Sequence, residues 1–96
     1  MFTWSKENQS FEKNINNQLA YRLHYNIINK NNQEVMVLDH IFINPEVKID
    51  LTTELLNQVI DFAKNHQLKI WPLGPISLQY FKNNPELVRN IWYSNT

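Results

Sequence analysis

The chain has 96 residues, nine Lys plus Arg against nine Asp plus Glu, and no cysteine. That length supports one hydrophobic core, the balanced charge supplies no field to draw nucleic acid or an anionic membrane, and the missing thiols exclude disulfides, thiolate zinc sites and a cysteine nucleophile. The amino end, "MFTWSKENQ", lacks a basic stretch followed by an apolar one, and no run approaches the roughly 18 apolar residues of a membrane-crossing helix. The expectation is a soluble, cytoplasmic single domain that uses neither nucleic acid nor membrane as a partner.

"SFEKNI" reads as an edge strand ending at Asn16-Asn17. From Leu19 to Ile27 the chain alternates, with Leu19, Tyr21, Leu23, Tyr25 and Ile27 on one face and Ala20, Arg22, His24 and Asn26 on the other, which predicts a strand with one buried face. Asn31-Asn32 tolerates the left-handed backbone of a tight turn, and "EVMVLDHIFI" beyond it is apolar on both faces apart from Asp39 and His40. The two runs are expected to form an antiparallel hairpin. From Leu51 to about His66 the spacing of Leu55, Leu56, Val59, Ile60, Phe62 and Ala63 is helical, with Asp50 or Thr52 as the cap. "LKIWPL" supplies another strand, "ISLQYFKNN" a shorter helix, and Asn84-Pro85 the start of a third. Three strands, a helix, a strand and two short helices imply an α/β or α+β sandwich.

With these elements in order, the chain resembles the small single-domain N-acetyltransferase-like subgroup of the GNAT superfamily, over about Phe11 to Trp92. The residues that carry the likeness are Asp39-His40, Pro45-Glu46, the Leu55-Leu56 helix pattern, Lys69 to Pro72, and Tyr80 followed by Pro85-Glu86. The resemblance implies a GNAT-like α/β fold spanning residues 1–96: a mostly antiparallel sheet of about four strands, one long helix and two short C-terminal helices. It also implies acetyl transfer from acetyl-CoA to a small-molecule or peptide amine. His40 is then the base, Tyr80 the acid toward the departing thiolate, and the N–H groups near Phe42 or Ile43 the oxyanion donors, with Lys48, Thr52 and Thr53 at the pyrophosphate. The family's loop before the long helix carries a basic residue and two glycines; here Lys48 holds the basic place while Ile49 and Leu51 stand near the glycine positions, and Gly74 stands where many members have cysteine.

The residues by themselves leave a second reading open at each place. A helix N-terminus offers amides and a positive dipole end to an anion, but Asp50 competes for those amides as a cap. Asp39 and His40, as strand neighbours, are expected to point to opposite faces, His40 with Tyr21 and Leu23 at the mouth of a groove beside the 68–73 strand and Asp39 near Arg22. A neutral imidazole suits proton removal near neutral pH, and a core histidine is the other reading. Tyr80 can equally be packing, and Trp4, Trp71 and Trp92 read as packing. His24 and His66 have no partners at metal spacing, so no metal site is expected. The alternative from a different class is a catalytically inactive GNAT-fold binding or interaction protein.

Overall fold

The structure, a computed structural model, describes residues 1–93. Its elements are β1 (Thr3–Ser5), β2 (Ser10–Ile15), β3 (Gln18–Lys30), β4 (Gln33–Ile43), α1 (Thr52–Asn65), β5 (Lys69–Pro72), α2 (Pro75–Asn83) and α3 (Pro85–Val88). They form one five-stranded sheet in the order β1-β2-β3-β4-β5, antiparallel up to β4 and parallel between β4 and β5. The tight turns have a clear cause: Asn16, Asn17, Asn31 and Asn32 all take positive φ, between 52° and 66°, which asparagine tolerates better than most residues.

The GNAT-like fold expected from the resemblance is overturned. The sheet has five strands and is mixed, the strands come first, and the helix after them has only 14 residues, without the GNAT arrangement of a long helix and central strands. The expectation of β2 as an edge fails for a local reason. Thr3–Ser5 is too short to show any alternation, yet it pairs with β2 and becomes the edge itself. Lys69–Pro72 joins in parallel because α1 carries the chain back along the sheet before β5 begins, as a parallel connection requires.

The helices cover one face. Tyr21, Leu23, Tyr25, Met36, Leu38 and Ile70 meet Leu55, Leu56, Val59, Ile60 and Ala63 of α1 and Phe81 of α2 in a single hydrophobic cluster. Each fully buried aliphatic side chain there contributes about 1.5–3 kcal/mol of transfer free energy. No helix among the described residues is long and apolar enough to cross a membrane.

Candidate functional site

The register between β3 and β4 contains an irregularity that shapes the region of interest. Leu23 pairs with Ile41 and Tyr25 with Leu38, so Asp39 and His40 together oppose His24 alone. Such a bulge bends the strand and interrupts the alternation of faces. It corrects the expected placement: Asp39 does not pair with Arg22, whose Nε donates to Glu12 at 2.9 Å, but lies 2.8 Å from His24 Nδ1 through Oδ2. Leu38 and Ile41, three positions apart, both stay in or against the core. Neither Asp39 nor His40 therefore takes the Tyr21–Leu23 position. The sequence held a signal for this, because the apolar positions Met36, Leu38, Ile41 and Ile43 skip a beat at the bulge.

Pairing of β4 with β5 ends at Leu38–Pro72, with one more bond from Leu73 N–H to the Leu38 carbonyl at 3.3 Å. Beyond it β4 continues to Ile43 with no strand on that side among the described residues. Asn44 N–H bonds the Ala20 carbonyl at 2.8 Å, so in the two-residue rhythm of an antiparallel ladder Phe42 turns its N–H toward β3. Ile41 and Ile43 turn theirs to the vacant side. Of the two expected oxyanion donors, Ile43 faces the cleft and Phe42 does not. The cleft lies at the carboxyl ends of two parallel strands, and both α1 and α2 begin there; this is where open α/β sheets characteristically place ligands.

The loop before α1 explains its lack of glycine. No residue from 44 to 51 has positive φ, so the backbone makes no demand that only glycine meets. Its shape comes from elsewhere in the fold: the buried Tyr21 hydroxyl donates to the Ile49 carbonyl and accepts from Leu51 N–H, both at 3.0 Å. Tyr21 read only as a core residue in the sequence, since nothing local ties it to a loop 28 residues away. Asp50 Oδ1 accepts from Thr52 N–H at 3.0 Å, and that bond, followed by one to the Thr52 side chain, holds the Asp50 carboxyl below its ordinary pKa. Neither Asp50 nor Thr52 is the cap: Leu51 holds that position without a side-chain cap bond, and Asp50, one residue earlier, competes for the first helical amide instead.

The remaining residues are spread around the cleft. Thr52 and Tyr80 line one recess of about 380 Å³ with Pro75, Ile76, Gln79 and Asn83. The Tyr80 hydroxyl donates to Asn57 Oδ1 of α1, a partner that sequence reading missed. His40 is exposed, and its Cα lies where a Cβ on Gly74 would come within 3.4 Å, so it borders the start of α2. Lys48 and Thr53 are exposed, outside that recess. The helix-free face of the sheet carries a separate polar recess lined by Asn8, Ser10, Glu12, Arg22 and His24. Ser10, His24 and Asp39 stand side by side on three strands there, but Ser10 Oγ is bonded to Glu12 at 3.3 Å and makes no hydrogen bond with His24. Among the described residues no group of three or more His, Asp or Glu is placed to hold a metal ion.

No family model matches the chain, and no curated protein matches it.

Proposed function

We propose that the chain is a weak acetyl-CoA-dependent N-acetyltransferase of the cytoplasm, acting on a small-molecule or peptide amine in the cleft where β4 parts from β5. This reading rests on the site and not on a fold family. The observation that carries it is the run of β4 beyond Leu38, whose Ile41 and Ile43 N–H groups face space that β5 has left. Acetyl-CoA supplies the activated acyl group. The chain's own part is to take a proton from the substrate ammonium on the exposed His40, so that the free amine can attack, and to hold the developing oxyanion with a fixed backbone donor, Ile43 N–H. Tyr80 would return a proton to the thiolate after exchanging its bond to Asn57 for one to sulfur. Thr53 and Glu54 N–H remain for the pyrophosphate, with Lys48 on the loop, while Asp50 occupies Thr52 and opposes an anion.

Those last contacts support a second reading, a catalytically inactive binding protein that uses the same cleft. One experiment separates the two. Thermal unfolding with millimolar acetyl-CoA should show a small upward shift, below the roughly 2.7 kcal/mol expected at 100 times the dissociation constant. Mass spectrometry of an amine panel should then show acetyl transfer. A shift without transfer would select the binding protein, and no shift at any concentration would remove both readings.

A further inference from the structure

A second recess, of about 340 Å³, lies at the other end of α1, whose 14 residues separate it from the cleft by about 21 Å of helix rise. It is formed where β1, the turn after it, the start of β4 and the last turn of α1 meet. The buried Tyr25 lies at its floor and Trp4, Phe62 and His66 make its wall. These rings are held in place. Trp4 Nε1–H donates to the Tyr25 hydroxyl at 2.8 Å, and His66 Nδ1–H to the Phe62 carbonyl at 2.9 Å. The Trp4 and Phe62 centroids are 4.9 Å apart and Phe62 stacks on His66 at 4.0 Å. At the rim Trp4 is 40% and Ile27 37% exposed, so apolar surface stands open around a floor closed to water.

Lys6 and Glu34 also line this recess, and neither belongs to an ion pair among the described residues. Opposite charges that share a recess without pairing offer a donor and an acceptor to one occupant. A quaternary ammonium would gain from Glu34 and meet Lys6; a phosphate would do the reverse. Aromatic walls favour a flat partner, because ring faces and edges attract beyond the area they bury. The volume lies at the lower end of the roughly 300–1,000 Å³ of small-ligand sites.

We propose that this recess binds a planar aromatic heterocycle of the nucleobase class, stacked on the Trp4–Phe62 wall with its polar edge between Lys6 and Glu34. The site is independent of the cleft and of the transferase reading. The test is calorimetric titration of the full chain with adenosine, alongside tetramethylammonium and inorganic phosphate. Saturable binding of adenosine alone is expected. Replacement of Trp4 by leucine should weaken it at least about tenfold through loss of a stacked ring. Glu34→Gln, an exposed change that leaves the rings untouched, should weaken it severalfold and keeps the test valid if the Trp4 variant does not fold. Tetramethylammonium or phosphate binding in place of adenosine, no binding at all, or unchanged affinity in a folded variant would overturn the proposal.

Discussion

The two helix starts beside the cleft solve the same problem differently. Each follows a strand, and each leaves N–H groups without intrahelical partners. At α1 the solution is polar: Asp50 takes the Thr52 N–H, and Tyr21 ties the preceding backbone at Ile49 and Leu51. At α2 it is steric. Gly74, in extended backbone at φ −70° and ψ 148°, supplies no side-chain cap, Pro75 has no N–H to satisfy, and the helix start is pressed onto β4 so closely that a Cβ on Gly74 would meet the Asp39 carbonyl at 3.3 Å. Glycine is thus absent where a phosphate loop would want it and present where helix and strand need to touch. Its position marks backbone proximity in this chain and is not by itself evidence about a ligand.

Substitutions at these two starts break or sharpen that contrast, and Tyr21→Phe should have the largest effect. It removes both hydroxyl bonds to the loop, and leaving partly buried backbone groups unpaired should cost about 2 kcal/mol. Chemical denaturation would read this directly, and hydrogen exchange should localise the loss to residues 49–51. If the variant is as stable as the wild type, the loop is held by its own contacts and the polar account of α1 fails.

Gly74→Ala should cost about 1 kcal/mol, since the added methyl presses on backbone that yields only by moving α2 and β4 apart. In a domain of this size that is a fall of roughly 4–8 °C in melting temperature. A neutral or stabilising result, from the entropy lost by the unfolded chain, would mean that α2 is free to shift.

A smaller effect is expected from Asp50→Asn, because the asparagine side-chain oxygen can also accept from the Thr52 N–H. The informative variable is pH. The Asp50 carboxyl is held below its ordinary value by the Thr52 N–H, so its contribution is present above the unfolded pKa and is lost as pH falls through the lower folded value. The difference in melting temperature between wild type and variant should therefore shrink on acidification below about pH 4. The same change removes a carboxylate from the helix start and should raise acetyl-CoA affinity if the cleft takes that ligand. Lys48→Ala should be the mildest, with stability within about 0.5 kcal/mol of wild type. Any loss of acetyl-CoA affinity in it, followed by the thermal shift, would assign Lys48 to the anion; an unchanged shift would leave the loop without a role in binding.

Local patterning determined a good deal by itself. The alternation from Leu19 to Ile27, the Asn31-Asn32 turn, the helical spacing from Leu55 to Ala63 and the Asn84-Pro85 helix start all rest on forces that act within a few residues, and the structure places β3, β4, α1 and α3 there. Asp50 as a competitor for an α1 amide was equally legible, because a bond between residues two apart is local, although the N-cap itself falls to Leu51. What the sequence left open depended on partners far along the chain. Only pairing with β2 makes Thr3–Ser5 a strand, and only the register of β4 against β3 puts Asp39 beside His24. Tyr21 cannot be known to hold residues 49 and 51 until the sheet and loop are in place, nor Tyr80 to meet Asn57 until α2 lies on α1. A three-residue strand, a one-residue bulge and a hydroxyl reaching across the core carry no period of their own. Their positions are settled when burial of the shared core brings distant segments together, and the width of the cleft and the ring-walled recess at the far end are settled with them.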